Sequence, residues 1–132
     1  IGTAREFADI VYNAVPAACR HRRLHPATRC FQALRIAVNR ELERLEAALP
    51  LALGLLPEGG RLGVISFHSL EDRRVKSFFR EKSGASGGGP CGVRLLTRRA
   101  VKPGEGEVRR NPPSRSARFR VVEKIPSGEG GS

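Results

Sequence analysis

Apolar residues return along this chain with helical and then strand-like periods. Over residues 4–18, Phe7, Ile10, Val11 and Ala14 recur at three and four positions, which predicts a helix limited by Pro16. A longer stripe of Phe31, Leu34, Val38, Leu42, Leu45 and Leu49 predicts one continuous helix from Thr28, its N-cap, to about Leu49. His25-Pro26 breaks the chain ahead of it, because proline disfavours helix in the preceding residue. Pro50 interrupts the stripe, and Leu51–Leu56 reads as a further short helical stretch. Leu62, Val64 and Ile65 form a short apolar run of the kind found in parallel strands covered on both faces. That strand is entered through Pro57-Glu58-Gly59-Gly60, where glycine permits the positive φ a sharp turn needs. Ser69, three positions ahead of Asp72, fits a capping box opening a helix to about Lys82, with Val75, Phe78 and Phe79 inward. Alternation predicts strands over 93–101 and 117–124, with a short helix at 105–110 ended by Asn111-Pro112-Pro113. The Gly/Ser-rich stretch 83–92 reads as a mobile loop and 126–132 as a flexible tail.

The resulting order is helix, long helix, strand, helix, strand, strand, with the last two strands closing antiparallel. This is half of an α/β sheet, since one parallel strand cannot complete a doubly wound fold. The rest is expected upstream, in keeping with a chain that begins Ile1-Gly2-Thr3 and contains no Met.

Charge narrows the partners. The chain carries 24 Lys+Arg against 13 Asp+Glu, a net of +11, which suits a polyanion. Only four of the basic residues are Lys; the rest are Arg, whose planar fork matches phosphate. Basic residues concentrate in Arg20-His21-Arg22-Arg23 and in residues 93–120, where nine basic and two acidic residues give +7. Six Phe, one Tyr and no Trp leave too few aromatics for an extended base-stacking platform. Three widely spaced cysteines (19, 30 and 91) do not form a secreted disulfide framework. No apolar run reaches the roughly 20 residues that cross a bilayer, and the N-terminus lacks signal-peptide character, so a cytoplasmic protein without a membrane partner is expected.

Few residues carry recognisable chemistry. Cys19-x-His21-x3-His25-x4-Cys30 holds four zinc-ligand types, but Pro26 and a helix start intervene and Cys30 lies beside the apolar face, so no metal is expected. No phosphate loop, nucleophile elbow or H-E-x-x-H motif occurs. Glu71 and Asp72 fall in a first helical turn, where they favour the helix dipole. Ser66, His68 and Ser69 lie at the carboxyl end of the predicted strand, the edge at which α/β sheets bind ligands.

Three blocks carry a resemblance. They are His25-Pro26-Ala27-Thr28-Arg29 through Asn39-Arg40-Glu41-Leu42, Gly59-Gly60-Arg61 through Ile65-Ser66-Phe67-His68-Ser69-Leu70-Glu71-Asp72-Arg73-x-Val75-Lys76, and Asn111-Pro112-Pro113-Ser114-Arg115-Ser116-Ala117-Arg118. In that order they resemble the motifs of the MraW/RsmH family. Its members are S-adenosylmethionine-dependent enzymes that methylate the N4 amine of a cytosine in small-subunit ribosomal RNA. The resemblance implies the C-terminal half of a Rossmann-like methyltransferase sheet at 25–126, preceded at 1–24 by the tail of a helical insert domain and followed by a tail at 127–132. It also implies that the glycine-rich cofactor loop and the ribose-binding acid lie upstream, so that these 132 residues alone are inactive. Pro113 stands where the family often has Arg.

On this mapping Ser66, His68 and Ser69 are the catalytic candidates, hydrogen-bonding the target base, while Phe67 either stacks on the base or, as favoured, packs inside. Gln32, Arg35 and Asn39 share one helix face and are expected near substrate or cofactor. His25, Arg29, Arg98, Arg99, Arg109, Arg110, Arg115 and Arg118 are the expected RNA contacts. Two other classes stay open: a non-catalytic basic RNA-binding module and a small zinc-stabilised domain.

Overall fold

The computed structural model describes residues 1–84 and 92–126; most of the predicted 83–92 loop, Cys91 and the tail from 127 lie outside the described residues. The chain divides into two compact units, Ile1–Glu41 and Leu42–Ser132.

In the first unit, α1 (Ala4–Ala14) is capped by the Thr3 hydroxyl, which accepts from the Glu6 amide, and ends ahead of Pro16. One turn of helix, α2 (Ala17–Arg20), precedes α3 (Ala27–Asn39), and Phe7 of α1 meets Phe31 of α3 edge to face at 5.0 Å. The predicted cap of α3 is corrected. Its first turn begins at Ala27, and the ring of His25, not Thr28, accepts the Ala27 amide through Nδ1. The predicted continuous helix is also corrected. Arg40 adopts left-handed φ 52° and ψ 39°, its amide bonded to the Ile36 carbonyl, and closes α3 there.

α4 (Glu41–Leu55) then passes through Pro50, which sequence alone reads as a break. A mid-helix proline costs about 3 kcal/mol. The stripe Leu45, Leu49 and Leu53 packs on the core on both sides of it, and burying such side chains returns about 1.5–3 kcal/mol each. Burial outweighs propensity.

The second unit is a three-stranded antiparallel sheet with α4 and α5 packed into its core. β1 (Arg61–Ser66) and β2 (Val93–Leu95) flank the central β3 (Arg118–Lys124), in the order β1-β3-β2. The parallel, doubly covered strand expected at 62–65 is therefore corrected to an antiparallel one paired Arg61↔Glu123 through Ser66↔Arg118. Leu62 and Val64 face the core, whereas Ile65 is 57% exposed on the other face. α5 (Ser69–Lys82) supplies Val75 and Phe79 to a buried cluster with Leu49, Val93 and Val122, with Phe78 at its margin. The strand predicted over 93–101 shortens to Val93–Leu95. Beyond it the Leu96 and Thr97 amides both turn onto the Val121 carbonyl, and pairing resumes as a single bridge, Val101↔Phe119. α6 (Glu105–Arg110) and a 3-10 turn (Pro112–Ser116) lead into β3.

The turn before β1 explains both of its glycines differently. Gly59 has φ 77°, the left-handed position of a turn closed by the Gly60 amide on the Pro57 carbonyl at 2.9 Å. Gly60 has no positive φ; a Cβ there would stand 2.8 Å from the Pro57 oxygen. Gly59→Ala is expected to lower unfolding stability by about 1 kcal/mol, read as a shift of the urea midpoint at unchanged slope.

Candidate functional site

The corner leaving β1 is built by strand alternation followed by a helix cap. Ser66 is the last residue of β1 and turns inward, 3% exposed, its hydroxyl donating to the Arg118 carbonyl at 3.5 Å. Phe67 therefore turns outward, on the same face as Ile65, and is 54% exposed. Its expected inward packing is corrected by that alternation. The predicted Ser69–Asp72 capping box is likewise corrected. His68 is the N-cap of α5, with φ −142°, and its Nδ1 accepts from the Glu71 amide at 3.3 Å, while Ser69 is the exposed first residue of the helix. Glu71 reaches back, one carboxylate oxygen accepting the Phe67 amide at 3.0 Å.

This cap fixes the tautomer of the neutral His68 ring. A ring whose Nδ1 accepts an amide proton carries its own proton on Nε2 when neutral. The side chain is 8% exposed, and Nε2 has no hydrogen-bond partner. Glu71 Oε1 lies 3.3 Å from it, near enough for Coulomb attraction but without hydrogen-bond geometry. A buried, unspent N–H donor thus sits at the end of β1. His68→Ala should remove the cap and cost about 1 kcal/mol, whereas His68→Asn, itself a capping residue, should fold with wild-type stability; thermal melts distinguish the two.

Asp72 does more than face the helix dipole. Its two carboxylate oxygens accept Nε and Nη2 of Arg120 at 2.7 and 3.0 Å, a bidentate pair joining α5 to β3. Arg120 is 8% exposed. The hydrogen bond from Arg120 is the main reason the Asp72 carboxyl is held below its ordinary 3.8; partial burial opposes it, and Arg118 and Lys76 add to the lowering. At the other end of the sheet, Glu123 is bridged by Arg61 at 3.0 Å and Arg94 at 2.7 Å across both strand pairs, which lowers its carboxyl too, chiefly through Arg61.

In the first unit the predicted residues serve local structure. The His25 ring stacks on Tyr12 at 5.7 Å while its Nδ1 accepts the amide of Ala27, the first residue of α3. Arg35 pairs with Glu41 at 3.2 Å, and the Asn39 amide donates to the same carboxylate at 3.3 Å, so both secure the end of α3; Gln32 is half-buried beside them. Arg29 lines a concavity of about 350 Å³ with Arg22, Arg23 and His25, one basic surface within this unit. Cys19 and Cys30 are free thiols, and no three of Cys19, His21, His25 and Cys30 bring ligand atoms within 4.8 Å.

The predicted RNA arginines separate into groups. Arg109, Arg115 and Arg118 line one concavity of about 470 Å³ with Lys102. Arg98 lines a second, of about 350 Å³, with Lys76, Arg80 and Arg120. Arg110 pairs with Glu107 at 3.7 Å, and Arg99 is an exposed turn residue. Sequence reasoning missed Lys76, Arg80 and Arg120. The signal for Arg120 is its inward register in β3, shared with Val122, because an inward charge demands a carboxylate.

With this geometry in hand, likeness to known proteins assigns the chain. The sequence model of the MraW methylase family matches residues 1–125. The chain belongs to this family. Proteins called ribosomal RNA small subunit methyltransferase H share the MraW-type sequence at high identity. That of Treponema denticola is 54% identical over 133 residues, covering 92% of this chain and 42% of the relative. That of Persephonella marina is 47% identical over 125 residues, covering 95% and 41%, and that of Syntrophobacter fumaroxidans 56% over 130 residues, covering 90% and 40%. The chain spans about two fifths of the length of these MraW-family relatives.

Proposed function

We propose that these residues form the C-terminal part of an S-adenosylmethionine-dependent methyltransferase acting on the N4 amine of a cytosine in small-subunit ribosomal RNA, in the cytoplasm. The observation that carries this reading is the family match over residues 1–125, together with relatives whose names state the RNA and the reaction class. On it, residues 25–126 are the C-terminal half of a Rossmann-like methyltransferase sheet and residues 1–24 the tail of a helical insert.

The described residues do not by themselves fit the cofactor. A nucleoside ribose asks for a free carboxylate, and both acids in the first turn of α5 are engaged, Glu71 by the Phe67 amide and Asp72 by Arg120. On the proposed reading the cofactor-binding groups belong to the part of the relatives outside these residues, and the 132-residue chain alone is inactive.

What this chain contributes is recognition and placement. A base must leave its stack to reach a methyl donor, and the amine must then be aligned with the methyl. The exposed Ser69 hydroxyl offers a hydrogen bond to such a base and exposed Phe67 a ring face, and the Nε2–H of His68, unspent but buried, becomes a second donor once the corner opens to the base. Ser66, bonded to the Arg118 carbonyl, holds the corner in place. Arg98, Arg109, Arg115 and Arg118, with Arg29 in the first unit, supply the charge for the RNA backbone, and His25 lines the same surface as Arg29.

Calorimetry with S-adenosylmethionine and transfer of a labelled methyl group to small-subunit ribosomal RNA test the reading. The whole protein is expected to bind the cofactor and label the RNA, and the 132-residue chain to do neither. RNA binding by the whole protein with neither cofactor binding nor labelling would favour the non-catalytic RNA-binding module.

A further inference from the structure

We propose that the concavity between α5 and the β2–β3 side of the sheet is a phosphate pocket that grips the RNA backbone away from the reacting base. The proposal rests on the RNA methyltransferase reading, which already gives Arg98 to the RNA backbone, and adds to it a defined site with three residues that reading does not use, Lys76, Arg80 and Arg120.

Four cations meet there: Lys76 and Arg80 from consecutive turns of α5, Arg98 from the turn after β2, and Arg120 from β3. They surround about 350 Å³. Lys76, Arg80 and Arg98 are exposed, and none of the three stands in an ion pair among the described residues. Arg120 differs from them. Asp72 holds its Nε and Nη2, which fixes the guanidinium and leaves Nη1 unspent by that pair. The carboxylate that could neutralise the pocket is thereby committed to one cation of four. Cations brought together in this way repel one another unless an anion enters, and a rigid guanidinium loses little freedom in binding one.

The rest of the lining selects the kind of anion. Thr97 Oγ1 accepts the Val121 amide at 2.9 Å, so its hydroxyl proton is free to donate to an oxyanion. Phe79 is 2% exposed and buried in the core, so it offers no face on which a base could stack. Such a pocket reads charge and not base identity, as a backbone phosphate contact does.

The test measures binding of the whole protein to a transcript of small-subunit ribosomal RNA across a salt series. It compares Lys76→Gln/Arg98→Gln with Arg5→Gln/Arg44→Gln, which removes the same charge from exposed helical positions elsewhere. The pocket variant is expected to bind at least tenfold more weakly, with a salt slope reduced by about 1.5, one increment for each lost phosphate contact. The control is expected to change affinity less than twofold, and both should keep wild-type melting and cofactor affinity. If the pocket variant melts early, Arg80→Gln alone replaces it, with an expected slope reduction of about 0.8. A pocket variant indistinguishable from the control overturns the proposal while leaving the methyltransferase reading intact, provided the wild type still labels the RNA. A wild-type protein that neither binds nor labels the RNA overturns both.

Discussion

Replacing Asp72 with alanine is expected to lower the unfolding free energy by about 3 kcal/mol, the largest loss from any single polar residue described here. The reason is what the substitution leaves behind. Arg120 is 8% exposed and its fork is aimed at Asp72, so the variant strands a guanidinium in the protein interior. Breaking a buried pair in this way costs about 3–5 kcal/mol, and the partial exposure of Asp72, at 20% of its side chain, places the expectation at the low end. Urea titration gives the value. Acid provides a second reading of the same pair. Because the folded carboxyl lies below its ordinary 3.8, its contribution is complete above that value and is lost as pH falls through the lower folded one. Wild-type stability should therefore drop below about pH 3.8 more steeply than that of Asp72→Asn. Parallel acid profiles would show that the pair does not hold α5 to β3.

His68→Asn in the whole protein is expected to reduce methyl transfer about tenfold while leaving stability unchanged. Asparagine can accept the Glu71 amide as the His68 Nδ1 does, so α5 keeps its cap. It cannot reproduce the buried Nε2–H, the donor offered to the substrate. One hydrogen bond of about 1.4 kcal/mol corresponds to a factor of ten in rate. A structural role confined to capping would instead give a fully active His68→Asn and a destabilised His68→Ala. Full activity in His68→Asn assigns the residue to the cap alone.

The first helix, α5 and the last strand were legible in the sequence because each carries a periodic pattern. α5 shows Val75 and Phe79 at helical spacing and buries both, and the alternation over 117–124 corresponds to β3. The misreadings came from elements whose outcome is decided by something other than their own pattern. The stripe from Phe31 to Leu49 has one period, yet a left-handed Arg40 divides it, and nothing in periodicity marks that residue. Pro50 looks like a stop until the burial of Leu49 and Leu53 is set against it. The run at 62–65 suggested a parallel strand, but direction is set by the partner, and β3 lies 52 or more residues further along the chain.

For the candidate site the sequence supplied names and not geometry. Motif order singled out the corner at Ser66–Ser69, and the local charge excess singled out the arginines of 98–118. The division of labour within the corner depends on which way each residue points: Ser66 inward, Phe67 outward, His68 over the helix end. A one-residue shift of the cap moved the task from Ser69 to His68 and left Asp72 for Arg120. That register goes with a tertiary contact invisible to local pattern, the pairing of Asp72 with Arg120, which turns inward beside Val122 in β3.

The central claim concerns which atom of which base receives the methyl group. Nucleoside mass spectrometry of small-subunit ribosomal RNA, treated with the whole protein and isotopically labelled S-adenosylmethionine, reads it directly. Label is expected in N4-methylcytidine. Label in 5-methylcytidine, on a ribose, or in no cytidine at all would contradict it.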